Sequence, residues 1–176
     1  MNKKIAIIII GIIVIIVVIP VIGLILEELD MKGFEKENKE ALSKLSVKVP
    51  KQFEKNEYGS SIYYNYYKDD VDCSLRIEAE KGNYRDYVDG KDYLEDTTYI
   101  SLKDKVSEIK EIKINNYKWH YLTLEKNGDT EYHYATINED NIYDIVYKIN
   151  DYTNGENANN YCISIKDEII STVKLK

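Results

Sequence analysis

The chain has 176 residues, 24 basic and 31 acidic, for a formal net charge of −7. Setting aside Lys3 and Lys4 leaves 22 basic against 31 acidic residues, or −9, beyond the N-terminal apolar stretch. An acidic chain with scattered lysines lacks the electrostatic footprint for nucleic acid or for anionic lipid surfaces, so no nucleic-acid partner is expected.

The apolar share of 44% is ordinary, but 17 Tyr stand against 2 Phe. Tyrosine suits strands and half-wet surfaces, because its ring buries while its hydroxyl seeks a partner. Arginine occurs only at Arg76 and Arg85 beside abundant Lys, Ile and Asn, a usage that fits an AT-rich bacterial genome.

Residues 1–4 form a short basic start. Ile5 to Leu26 then runs for 22 residues without a charge or polar side chain. At ~1.5 Å per residue this stretch spans about 33 Å as a helix, enough to cross a hydrocarbon core of ~30 Å. Lys3 and Lys4 precede it and Glu27-Glu28-Leu29-Asp30 follows, so the positive-inside rule puts the N-terminus in the cytoplasm and the rest outside the cell membrane. A cleaved signal peptide is the competing reading, with Val21-Ile22-Gly23 as a poor cleavage site and Leu24-Ile25-Leu26 unfavourably placed after it. A lipid-modified N-terminus is excluded, since the first Cys is Cys73. The expected organisation is a cytoplasmic N-terminus (1–4), a transmembrane helix acting as an uncleaved signal anchor (5–26), a charged juxtamembrane stalk (27–44) and one extracytoplasmic domain (45–176).

Within the stalk, Phe34, Ala41, Leu42 and Leu45 give only a thin apolar pattern. Leu45, Val47 and Val49 alternate with polar residues up to Pro50, the pattern of a short strand. Ser60 to Lys68 is rich in strand formers and turns through Asp69-Asp70 into Val71–Ala79. There Val71, Cys73, Leu75, Ile77 and Ala79 share one face, the clearest alternation in the chain. From Asn83 to about Thr97 the period becomes helical, with Asn83 as a cap, Tyr84, Tyr87, Val88 and Leu94 near one face, and Gly90 as an interior cost of about 1 kcal/mol.

Val106 to Asn150 predicts a four-strand antiparallel meander. Turns at Asn115-Asn116, Asn127-Gly128 and Glu139-Asp140 pair Ile112 with Trp119, Tyr121 with Tyr134, Trp119 with Thr136, and Tyr132 with Tyr147. All three registers place Ile112, Ile114, Tyr117, Trp119, Tyr121, Tyr132, Tyr134, Tyr143, Ile145, Tyr147 and Ile149 on one face. A slip of one residue would scatter them, so their agreement supports the registers. The other face holds Lys118, His120, Leu122, Glu131, His133, Asp144 and Lys148, and is expected to face water. Tyr161, Cys162, Ile165, Ile169 and Val173 recur at helical spacing and predict an amphipathic C-terminal helix covering the aromatic face. The fold class is α+β: an antiparallel meander packed by this helix and the middle helix, preceded by the transmembrane helix.

The order strand–Pro, strand pair, helix, meander carrying Tyr117-Lys118-Trp119, and closing helix Asp167–Lys176 resembles the PsbP-type fold. That is the fold of the photosystem II extrinsic protein and of many bacterial exported domains. The resemblance covers about residues 43–176. Val49-Pro50-Lys51-Gln52-Phe53 departs from the Gly-Trp that the family often carries after its first strand. The resemblance implies a binding or assembly role, and fold alone implies no activity.

Cys73 and Cys162, the two thiols, lie on apolar faces and outside the reducing cytoplasm. They either form a disulfide or remain two buried apolar cysteines. His120 and His133 sit diagonally on neighbouring strands and fit exposed strand histidines better than a metal site, which would need Glu131 or Asp144 as well. Asp69, Asp70 and Asp72 fail the calcium-loop pattern, since counting from Asp70 puts Leu75 and Lys81 where Gly and Glu are required. Nucleophile elbows and Gly-rich phosphate loops are absent from the sequence, and no cofactor is expected. The Tyr cluster is read as core beneath a helix, with a ligand slot as the alternative. The expectation is a non-enzymatic, membrane-anchored module that binds a protein or another envelope component. A small-molecule or metal-binding domain using the Tyr-rich face is the other candidate.

Overall fold

The alternating pattern beyond residue 44 folds into strands over most of its length in the computed structural model, which describes residues 35–68, 71–82, 87–98, 104–150 and 156–176, with the backbone alone for 156–159. The expected membrane-spanning stretch 5–26, the turn at 69–70, the Asn83 cap and the loop 151–155 lie outside the described residues. Among the described residues no helix is long and apolar enough to cross a membrane. The chain divides into two compact units, Met1–Lys36 and Glu37–Lys176.

In the second unit, helical residues 37–43 (α1) lead into β1 (Leu45–Ser46), β2 (Glu54–Tyr58), β3 (Ser61–Lys68) and β4 (Val71–Lys81). Helix α2 (Gly90–Thr97) follows, then β5 (Lys105–Val106), β6 (Lys110–Ile114), β7 (Tyr117–Lys126), β8 (Asp129–Asn138) and β9 (Asn141–Asn150). Helix α3 (Glu156–Ser171) and β10 (Lys174–Leu175) close the chain. The main sheet is antiparallel with strand order β2-β3-β4-β9-β8-β7-β5, and β6 also pairs with β7.

Turn chemistry sets the meander register. Asn115 and Asn116 (φ 45° and 75°) and Asn127 and Gly128 (φ 55° and 93°) supply the paired positive φ angles of tight two-residue hairpins. Ile112 pairs with Trp119, Tyr121 with Tyr134, and Tyr132 with Tyr147, as the sequence predicts. The β7–β8 ladder ends at His120–Ala135, short of the expected Trp119–Thr136 pair. There the Thr136 hydroxyl donates instead to the Lys118 carbonyl at 2.6 Å.

The predicted aromatic face is the main core. Trp119, Tyr134, Tyr143 and Tyr147 are buried, with Tyr117, Tyr121 and Tyr132 half-buried against them. Tyr121 and Tyr134 stack at 5.3 Å between centroids, and Lys166 of α3 lies 4.0 Å from the Tyr132 centroid. Helix α3 covers this face through Cys162, Ile169 and Ile170, and Tyr147 donates its hydroxyl hydrogen to the Cys162 carbonyl at 3.0 Å. Cys73 and Cys162 form a disulfide with a Cα–Cα separation of 6.1 Å.

Three expectations need correction. Residues 37–44, expected as stalk, join the domain: Ala41 and Asn38 are buried, and Asn38 Oδ1 accepts from the Lys81 backbone N–H at 2.8 Å. One small and one polar residue seat this segment, so the thin apolar pattern understated its burial. The middle helix begins at Gly90 after the cap Asp89, whose carboxylate accepts from the Lys91 and Asp92 backbone N–H groups at 2.8 and 3.3 Å. Its buried face is Gly90, Tyr93 and Leu94, whereas Val88 is 83% exposed. The second sheet face does not simply face water. Leu122, Leu124, Ala135 and Ile142 form a second core with Tyr93 and Leu94 of α2.

Gly90 explains how closely α2 sits. A Cβ there would collide with the Ala135 carbonyl of β8. Gly90→Ala is therefore expected to destabilise the protein by about 1–3 kcal/mol through overpacking. In an exposed helix interior the same change would stabilise by about 1 kcal/mol. Equilibrium denaturation decides the sign, and a gain in stability would mean that α2 does not press on β8.

Candidate functional site

Pairing of β4, β9 and β8 lays three rows of side chains across the second face. Ser74 is opposite Lys148, which is opposite Glu131. Arg76, Val146 and His133 make the next row, and Glu78, Asp144 and Ala135 the third. Opposite residues stand about 5 Å apart, so neighbouring rows bring charges of both signs into reach of one another.

Arg76 Nη2 donates to Asp144 Oδ2 at 2.9 Å, and Arg76 Nε lies 3.5 Å from Glu78 Oε2. Asp144 is buried, and burial pushes its carboxyl up to about 6 although Arg76 pulls the other way. Burial opposes the charge on Arg76 as well, but Asp144 and Glu78 outweigh it and hold the guanidinium charged. His133 Nε2 lies 3.0 Å from Glu131 Oε2, while Lys148 Nζ lies 2.7 Å from Asp129 Oδ2 and 3.9 Å from Glu131 Oε1. The hydrogen bond with His133 and the nearby Lys148 hold the Glu131 carboxyl below its ordinary value, against the effect of burial.

Helix α2 turns this patch into a cleft. Tyr93, Leu94 and Thr97, with Thr98 just beyond the helix, form one wall, and Tyr63 of β3 lines it too. Leu124 and Val146 add apolar surface, and the cleft encloses about 380 Å³, within the range of small-molecule sites. Burial pushes the Tyr93 phenol well above its ordinary value. Asp144 Oδ1, Arg76 Nε and Thr98 Oγ1 are buried without a hydrogen-bond partner among the described residues. Such atoms are few in folded proteins; these three belong to residues lining the cleft, while a fourth among the described residues, Tyr143 Oη, belongs to the first core.

The two histidines have separate surroundings. His133 lines the cleft, whereas His120 is buried and sits 3.7 Å from the Asp89 carboxylate at the start of α2. The Lys91 and Asp92 backbone N–H groups and His120 keep the Asp89 carboxyl low despite burial. No group of three or more His, Cys, Asp or Glu among the described residues is placed to hold a metal ion. Tyr117, Trp119, Tyr121, Tyr132, Tyr134, Tyr143 and Tyr147 all lie in or against the first core, beneath α3.

Of the cleft residues, Glu131, His133, Asp144 and Lys148 are visible in the sequence as part of one mixed face of the meander, whereas the contributions of β3, β4 and α2 lie outside it. The signal that could have revealed a covered site is apolar: Leu122, Leu124, Ala135, Ile142 and Val146 are too many for a wet surface.

No protein-family model matches the chain, and a search of curated proteins returns no match. The chain is similar to a protein from Bacteroides thetaiotaomicron VPI-5482 whose crystal structure was determined at 1.50 Å, with 19% identity and a TM-score of 0.48. The match covers 77% of this chain and 46% of that one, so this chain spans less than half of the other protein's length.

Proposed function

We propose that the chain is a membrane-tethered domain exposed outside the cytoplasm that binds an envelope component without covalent chemistry, using the cleft beneath α2. The observation that carries this reading is the cleft itself: beside the apolar surface of Leu124 and Val146 it holds Arg76 paired with Asp144, and His133 and Lys148 paired with Glu131, each charge held by an opposite one. A site of this kind recognises polar groups. The disulfide supports the compartment, because such bonds persist outside the reducing cytoplasm. The apolar stretch 5–26 supports the tether, and the PsbP-type element order agrees with a binding role.

The topology is tested by adding protease to intact spheroplasts. The expected result is digestion of the domain from outside, with the protein otherwise recovered in the membrane fraction. A domain that stays protected until the membrane is broken overturns the reading.

A further inference from the structure

We infer that the cleft beneath α2 binds a neutral polyhydroxylated ligand, a sugar unit of a glycan; this rests on the reading of the cleft as a binding site. Charge balance comes first. Arg76 is paired with Asp144, Lys148 with Asp129 and Glu131, and His133 with Glu131. An anion entering would meet Asp144 and Glu131, and a cation would meet Arg76, Lys126 and Lys148. A neutral ligand disturbs neither set.

Hydrogen-bonding capacity narrows the class further. The partly exposed groups lining the cleft offer both kinds of partner: the Arg76 guanidinium and Lys148 donate, the Glu131 carboxylate accepts, and the Ser74 hydroxyl can do both. A ligand hydroxyl donates and accepts from one oxygen, so adjacent hydroxyls on a sugar ring can serve the carboxylate and the guanidinium side by side. Bonds to charged partners in a partly dry cleft are the stronger kind.

Aromatic surface supplies the third element. Tyr63 pairs with Arg76 across β3 and β4, which puts its ring on the cleft side of the sheet. Tyr58 and Tyr67, by the same alternation, lie on that face at 68% and 75% exposure, and Tyr58 meets Tyr63 edge-on at 5.8 Å. Exposed aromatic rings on a sheet face beside a polar cleft match the two-sided character of a sugar, whose C–H face packs on a ring while its hydroxyls bond at the edge.

The test uses the full chain in a sugar-free zwitterionic detergent. Saturation-transfer NMR and calorimetry are run with glucose, galactose, mannose, N-acetylglucosamine and their short oligomers. Glucuronate, glucosamine and inorganic phosphate serve as charged contrasts. The expected result is binding of at least one neutral sugar, weakened tenfold or more by Tyr63→Ala and severalfold by Ser74→Ala, with melting temperatures close to that of the parent protein. The inference is overturned if no neutral sugar binds at millimolar concentration, if a charged probe binds more tightly, or if neither variant changes affinity. Retention of a purified envelope protein that depends on Tyr63, with no sugar bound, would overturn the sugar class and leave the binding reading standing. Tyr63-independent retention of everything tested would overturn both.

Discussion

Replacing Cys73 and Cys162 together by alanine is expected to lower stability by about 4 kcal/mol, read as a fall in melting temperature on the order of 10–15 °C. The two residues lie 89 positions apart, so the bond closes a long loop and removes much freedom from the unfolded chain. The loss should also be local. The C-terminal half of α3 has other anchors: Ile169 and Ile170 are buried, and the Asn115 side chain donates to the carbonyls of Ser171 and Val173 at 2.9 and 2.8 Å. Nearer the start of the helix, the disulfide and the Tyr147 hydroxyl fix Cys162. Hydrogen exchange in the double variant should therefore speed up first around Cys162 and last around Ile169. Reduced wild-type protein should match the double variant in stability if loop closure dominates. A melting temperature within about 3 °C of the parent would show that the bond contributes little. The same bond reports on compartment. Both sulfurs are buried, so thiol reagents applied to cells should label neither Cys until the protein is reduced and unfolded.

What the sequence reveals here depends on whether the determining contact is local. Asn127-Gly128 and Asn115-Asn116 carry their own positive-φ preference, so each hairpin register is written at its turn. Strand alternation then sorts the meander into two faces without knowledge of anything else. It cannot say what covers a face. Tyr93 and Leu94 meet Leu122, Leu124 and Ala135 only because α2 settles there, and Gly90 permits this by lacking a Cβ against the Ala135 carbonyl. Read locally, that glycine is a weakness in a helix; in the fold it starts the helix and sets its distance from the sheet. The site has the same origin. Arg76 and Asp144 are 68 positions apart and meet by cross-strand register on a face that helix burial then makes dry. The β1–β10 pair is two residues long on each side, too short for any periodic signal.

Removing Arg76 isolates the electrostatics of the cleft. Arg76→Met keeps the length of the side chain and leaves the Asp144 carboxylate, 6% exposed, without its partner. Loss of one member of a buried pair costs about 3–5 kcal/mol. The low end, about 3 kcal/mol, is expected at neutral pH, because the Arg76 side chain is itself 38% exposed and part of the pair's attraction is screened by solvent. The pH dependence separates this charge effect from lost packing. Burial raises the Asp144 carboxyl to about 6 in the folded protein, above its unfolded value of ~3.9. The folded state therefore binds the proton more tightly, and stability contributed by this group is highest below about pH 4 and declines as pH rises from about 4 to 6. Without Arg76 the folded value moves higher still, and the decline extends toward neutral pH. The variant should lie close to the parent at pH 4.5 and fall well below it at pH 7.5. Asp144→Asn in the Arg76→Met background removes the buried charge, so it should recover most of the loss at pH 7.5 and flatten the extra slope. A deficit of equal size at both pH values would mean that Arg76 acts through packing of its stem, and that the cleft is not held together by charge.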